Sequence, residues 1–334
     1  ATTLSGAAAI GPAAGGARLP WRGIGGLVMR SLSLLEALAM TFAGLSAFPI
    51  TPTTADGCVR TDALGRVLER LRRPELGSVG LLGSTGTFAY LTRAERRRAV
   101  AVAVEVLGGS VPLMVGVGAL RTDEACALAQ DAAEAGADAL LLPAVSYTPL
   151  TEDEAFEHYS AVTAATELPL CIYNNPGTTH FTFQIGLLRR LAALPRIAAV
   201  KMPLPATGTV AEELATLRGA LPAGFAIGYS GDWGCADALL AGADTWYSVI
   251  GGLLPDVALR LTAAAMAGDR AETQRIDASL APLWGLFRAH GSLRVVHAMA
   301  RQMGLSDGLP PRPLLPLDTA TCDRIAAATE ALAD

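Results

Sequence analysis

VPLMVGVGALRTDEACALAQDAAEAGADALLLP occupies residues 111–143. Its two ends, 111–117 and 138–143, are almost wholly apolar, and a continuous apolar run of this length fits a strand buried on both faces of a parallel sheet. Between them, TDEACALAQDAAEAGA (122–137) has the spacing of an amphipathic helix that stops at Gly136. The stretch therefore reads as strand, helix, strand. The same unit recurs on both sides of it. Candidate strands are 44–49, 78–83, 111–117, 138–143, 168–173, 197–201, 224–229 and 244–249. Helical patterns stand between them at 92–107, where Thr92 and Glu95 have the spacing of a capping box, at 122–137, 152–166, 183–194, 210–221 and 234–243. Eight such units without a second zone of composition predict an α/β fold, a closed (β/α)8 TIM barrel over 40–253. From 254 to 334 only helical patterns follow, at 256–267, 269–289, 292–304 and 318–333, which reads as a C-terminal helical extension.

Residues 1–39 are rich in Ala and Gly and hold three Arg against one acid, Glu36. They read as an N-terminal extension outside the core, with a transit segment as the other reading. The mean hydropathy of +0.38 raises the question of a membrane span. The uncharged stretch from Ala37 to Ala55 contains Pro49 and Pro52, which suits a buried strand and not a spanning helix. Across the 334 residues, 51% are hydrophobic and 17% charged, so a large core is expected and disorder is not. The net charge of −5 and the lack of a long basic run argue against nucleic acid as a partner. The five cysteines are far apart, form no CxxC and read as free thiols in a reducing compartment, so a cytoplasmic location is expected. The four histidines form no spaced ligand motif, and no metal or other cofactor is expected.

Of the 26 basic side chains, 25 are arginine and one is lysine, Lys201 in IAAVKMP. Where only positive charge is needed, arginine serves. A primary amine that loses its proton and attacks a carbonyl must be lysine. Lys201 ends an apolar strand, and barrel chemistry gathers at the C-terminal ends of strands. Desolvation there lowers the pKa of an amine and raises its neutral fraction. The other strand ends are GSTGT (83–87), PAVSYTP (143–149), YNNPGTT (173–179), YSGD (229–232) and SVIGG (248–252). Taken singly, each also fits an ordinary role. GSTGT suits a tight turn or an anion cradle of N–H groups with the hydroxyls of Ser84 and Thr85. Tyr173 suits a half-buried core aromatic or a proton carrier, and Tyr147 a surface aromatic. His180, Asp232 and Gly251–Gly252 suit loop chemistry.

In order and spacing these pieces resemble the dihydrodipicolinate synthase / N-acetylneuraminate lyase family of class I, pyruvate-dependent aldolases. The resemblance runs from Thr41 to about Leu317 and rests on FPITPTTADG, GSTGTFAYLTRAER, LPLCIYNNPGTT, AVKMP, FAIGYSGDW, SVIGG and LPPRPLLPL. It implies that Lys201 forms a Schiff base with pyruvate or a related 2-keto acid, and that the resulting enamine reacts with an aldehyde. Tyr173 would shuttle the proton, relayed by Thr85, while Ser84 and Thr85 seat the carboxylate. Tyr147 matches a tyrosine lent across a dimer interface, and a homo-oligomer, dimer or tetramer, is implied. Thr87, Thr178, Gly231 and Tyr247 are the further candidate substrate contacts.

Three positions depart from the family pattern. Thr87 stands where an acid is usual, Thr178 where dihydrodipicolinate synthases carry an arginine, and Met202 where an acidic or small polar residue is common. The imine-forming half is thus intact and the aldehyde half changed. The expected activity is that of a 2-keto-3-deoxy sugar acid aldolase or dehydratase. Dihydrodipicolinate synthase proper and a hydratase-aldolase on an apolar aldehyde are alternatives. Two other classes stay open, a barrel that binds a phosphorylated ligand at Gly251–Gly252 and a non-catalytic keto-acid-binding relative.

Overall fold

A computed structural model describes residues 41–332, so the extension assigned to 1–39 lies outside the described residues. Eight parallel strands close into one barrel in sequence order. They are β1 (Gly44–Ala47), β2 (Ser78–Leu81), β3 (Leu113–Gly116), β4 (Ala139–Pro143), β5 (Leu170–Tyr173), β6 (Ile197–Met202), β7 (Ala226–Tyr229) and β8 (Thr245–Ser248). All eight expected strands are present. Most are shorter than expected at one or both ends, because the chain leaves the hydrogen-bonded ladder to form the loops. The barrel closes where Gly44–Ala47 pairs in register with Thr245–Ser248.

The helices are α1 (Thr61–Glu69), α2 (Arg93–Leu107), α3 (Thr122–Ala135), α4 (Glu152–Ala164), the single turn α5 (Pro176–Thr179), α6 (Ile185–Ala192), α7 (Val210–Ala220), α8 (Cys235–Leu240), α9 (Pro255–Met266), α10 (Arg270–His290), α11 (Ser292–Gln302) and α12 (Thr319–Glu330). The helix α1 is absent from the patterns picked out of the sequence. Following β8, α9 packs on β1 and α8 and takes the eighth place in the outer ring, and α10, α11 and α12 lie beyond it. Helix starts follow local chemistry. Thr151 with Glu154 and Thr209 with Glu212 form complete capping boxes at α4 and α7. At α2 only half of the expected box forms. Thr92 accepts from the Glu95 N–H, but the Glu95 carboxylate turns away to the N–H of Val59 at 2.6 Å and to Arg98. A tertiary partner in the loop after β1 outcompetes the local one. Gly136 ends α3 as expected, with φ of 101°.

Strand alternation divides the core in two. Outward residues, among them Val200, Met202, Ile227 and Trp246, pack in the layer between sheet and helices. Inward residues form a small separate cluster of Phe42, Phe48, Met114, Ala139, Leu141, Cys171, Tyr173, Ala199 and Tyr247. The rings need room. A Cβ on Gly80 would overlap the Phe48 ring, and one on Gly228 would meet the Tyr247 ring at 2.6 Å. Glycine at these two strand positions is therefore required by packing. No helix among the described residues is long and apolar enough to cross a membrane.

Candidate active site

Lys201 is bracketed inside the sheet, paired in register with Tyr173 on β5 and Gly228 on β7. Alternation along β6 turns Val200 and Met202 to the helices and Ala199 and Lys201 to the barrel interior. The amine is buried. Its Nζ lies 3.6 Å from the centre of the Phe48 ring, 4.6 Å from that of Tyr173 and 5.5 Å from that of Tyr247. It forms no ion pair among the described residues, so it is not a strand-end lysine held by an acid. Burial pushes its pKa below 10.5, against the pull of Tyr173, Cys171 and Asp232.

The Tyr173 hydroxyl has two side-chain partners among the described residues. Ser84 Oγ is 3.1 Å away, and Asn175 Nδ2 donates to it at 2.9 Å. Among the turn hydroxyls it is therefore Ser84, and not the expected Thr85, that is bonded to the tyrosine. Thr85, the next residue of the GSTGT turn, is 6% exposed. The turn is closed by the Thr87 N–H donating to the Ser84 carbonyl. Thr87, expected to touch substrate, is buried in this turn with a left-handed backbone (φ 55°), and its hydroxyl has no partner among the described residues.

Four other expected residues, Thr178, Tyr247, Tyr147 and Gly231, lie around or away from this centre. Thr178 sits on α5 and spends its hydroxyl on the Asn175 carbonyl at 3.3 Å. Tyr247 is fully buried below the lysine, its hydroxyl 3.4 Å from Cys171 Sγ and its ring edge-on to Phe48. It forms the floor of the site. Tyr147 is 96% exposed in the β4–α4 loop, so a single copy of the chain does not bring it to Lys201. Gly231 takes φ of 96°, and a Cβ there would press on Leu204 at 3.1 Å. Next to it, the buried Asp232 carboxylate accepts from Trp246 Nε1 and from the N–H groups of Val249 and Ile250, tying the β7 loop to the SVIGG turn. Burial pushes Asp232 up to about 6.

Phe48 and Asn175 also stand at this centre, and the sequence patterns do not single them out. Alternation along GLSAF puts Ser46 and Phe48 on one face, which was a usable signal for Phe48. Nothing in the spacing of YNNP shows where the Asn175 side chain turns. Two clefts of about 440 and 400 Å³ lie on the helix side of the sheet, between α2 and α3 and between α6 and α7. Neither is the site, because the amine points to the interior. No group of three His, Cys, Asp or Glu side chains among the described residues is placed to hold a metal.

A partly desolvated amine beside a phenol that is itself bonded to a hydroxyl can attack a carbonyl and exchange protons with the adduct. Comparison with known proteins points the same way. The family model described as "Dihydrodipicolinate synthetase family" matches residues 41–332. The 4-hydroxy-tetrahydrodipicolinate synthase of Albidiferax ferrireducens is 35% identical over 279 residues, covering 82% of this chain and 92% of that protein. The crystal structure of a dihydrodipicolinate synthase from Agrobacterium tumefaciens is 58% identical, with a TM-score of 0.87, covering 88% of this chain and 99% of that one. The chloride-inhibited dihydrodipicolinate synthase from Acinetobacter baumannii, solved in complex with pyruvate, is 27% identical with a TM-score of 0.80, covering 87% and 99%.

Proposed function

This chain belongs to the dihydrodipicolinate synthetase family of class I aldolase-type carbon–carbon lyases, and from that premise we propose that Lys201 forms a Schiff base with pyruvate. The observation that carries the proposal is the buried amine, free of any ion pair among the described residues, held by strand register against Tyr173. Lys201 attacks the keto carbon, water leaves, and loss of a C3 proton gives an enamine that adds to an aldehyde. Covalent catalysis of this kind splits one hard carbanion step into easier ones. Tyr173 and Ser84 carry the protons, and Thr85 with the N–H groups of the GSTGT turn seats the carboxylate. The pyruvate complex of the Acinetobacter baumannii protein supports this choice of keto acid.

For the acceptor, 4-hydroxy-tetrahydrodipicolinate synthesis from aspartate semialdehyde is the better supported reading, because the relatives carry that name. It takes precedence over the sugar-acid reading drawn from the sequence. An uncharged or hydroxylated aldehyde remains the second reading, favoured by one specific observation. Six of the eight loops at the barrel mouth, 82–92, 144–151, 174–184, 203–209, 230–234 and 249–254, contain no Arg or Lys. The other two carry Arg60 and Arg121, which are paired with Asp307 and Asp123, and Thr178 is turned to its own backbone. A second carboxylate would thus lack a charge-assisted clamp. A homo-oligomer belongs to the same proposal, since only a second copy could supply a tyrosine such as the exposed Tyr147 to this site. Sedimentation velocity tests that part.

Reduction with borohydride in the presence of pyruvate should add one reduced pyruvyl group, mapped to Lys201 by mass spectrometry. No adduct with any 2-keto acid would sink the proposal. An aldehyde panel at one pyruvate concentration then decides the acceptor. The highest kcat/KM with aspartate semialdehyde selects the first reading, and the highest with a hydroxylated aldehyde the second.

A further inference from the structure

The side chain of Asn175 is turned away from the task its position offers. Asn175 is the N-cap of α5, where an Asn side chain ordinarily accepts a hydrogen bond from the first turn of the helix. Here it makes no cap hydrogen bond. The turn is held without it, because the Asn175 carbonyl accepts from the N–H groups of Thr178 and Thr179, both at 3.0 Å, and from their hydroxyls at 3.3 and 3.0 Å. The amide is left for another partner, and its Nδ2 donates to the Tyr173 hydroxyl at 2.9 Å.

We propose that Asn175 fixes the direction of the Tyr173 hydroxyl proton and is a positioning residue for proton transfer at the Lys201 adduct. The proposal rests on the Schiff-base reading above. An amide N–H donates and has no lone pair to offer, so the phenolic oxygen must accept from it. The phenol's own proton is then confined to the other side, toward Ser84 Oγ at 3.1 Å or toward a substrate atom on Lys201. When the tyrosine gives that proton to the departing water of the carbinolamine, the phenolate left behind keeps the Asn175 N–H as a donor. The same oxygen is poised to take the proton that leaves C3 as the enamine forms. A hydrogen bond to a charged group of this kind corresponds to about 10- to 100-fold in rate.

Two readouts on the full chain separate the steps without an acceptor aldehyde. Borohydride trapping of pyruvate reports the imine, and deuterium uptake from D2O at C3 of pyruvate reports the proton transfer. Asn175→Ala should still be trapped at Lys201 but exchange about 10- to 100-fold more slowly. Asn175→Asp keeps the shape and replaces the donor with an acceptor that draws the phenol proton away. It should exchange more slowly still at neutral pH and recover as the pH falls through the carboxyl range, where the protonated side chain donates again. Exchange within twofold of the unmodified protein in both variants overturns the proposal. So does a normal rate and pH profile in Asn175→Asp with a loss in Asn175→Ala alone, because the amide would then only fill space. Failure of the unmodified protein to be trapped removes the Schiff-base reading, and this proposal falls with it. Trapping with unchanged exchange in the variants removes this proposal alone.

Discussion

Tyr173 and Lys201 are register partners on adjacent strands, with the amine 4.6 Å from the centre of the phenol ring. Paired residues of a parallel sheet send their side chains to the same face, so backbone hydrogen bonding, and not a loop, delivers both groups to the barrel interior. Loop changes can then alter the acceptor side of the reaction while this pair stays in place.

The buried state of Lys201 has a consequence for pH. Its pKa is held below 10.5 by desolvation, so the neutral, nucleophilic form gains population at a lower pH than for a free lysine. The rate of pyruvate adduct formation should rise with pH and level off below the ordinary lysine value. Lys201→Arg should retain the circular dichroism spectrum and give no adduct, since a guanidinium forms no imine. A plateau only above the ordinary lysine value would refute the desolvated site.

Ser84, Thr85 and Tyr173 should separate kinetically. Tyr173→Phe removes the proton carrier and should lower kcat by about 10²–10⁴-fold. Ser84→Ala removes the hydroxyl bonded to it and should also act on kcat. Thr85→Val should act mainly on KM, as expected for a carboxylate contact. If Thr85→Val lowers kcat and Ser84→Ala does not, the relay runs through Thr85 after all.

Gly80 makes room for Phe48, whose ring lies under the reactive amine. Gly80→Val should destabilise the fold by about 1–3 kcal/mol through overpacking and should reduce adduct formation. Adding Phe48→Ala should recover part of the stability, since residues in contact are not additive. Additive effects in thermal or denaturant unfolding would show that the ring and the strand glycine are not coupled.

His297 gives the fold an acid limit. It is buried on α11 with neither ring nitrogen bonded among the described residues, and burial lowers its pKa to about 4. Between about 4 and the unperturbed value of roughly 6.5 the unfolded chain binds a proton that the native protein refuses. Stability should therefore fall as the pH drops through that window, by roughly 3 kcal/mol in total. His297→Leu should flatten this part of the urea-midpoint profile. An unchanged slope in the variant would assign the acid loss to other groups.

Much of the barrel was legible before any coordinate. The apolar runs at 111–117 and 138–143 became β3 and β4, and Gly136 ended the helix between them. Features of that kind depend on periodicity within one element. Of the candidate site, the convergence of Lys201, Tyr173 and Ser84 of the GSTGT turn was legible, since all three stand at strand ends. Its bonding was not. The Glu95 carboxylate left its capping box for Val59, 36 residues away, and the Tyr173 hydroxyl chose Ser84, 89 residues away, over its neighbour in the same turn.

By itself the sequence determined which segments are strands buried on both faces, and that one amine stands at the end of one of them. Both follow from side-chain chemistry read along a single element. The tertiary structure decided what that amine faces. Tyr173 reaches Lys201 by register on the adjacent strand β5 and Tyr247 from β8, whereas Phe48, the residue after β1, joins them because the pairing of Gly44–Ala47 with Thr245–Ser248 closes the sheet on itself. Closure turns the inward residues of all eight strands toward one another, and no local spacing encodes which of them touch.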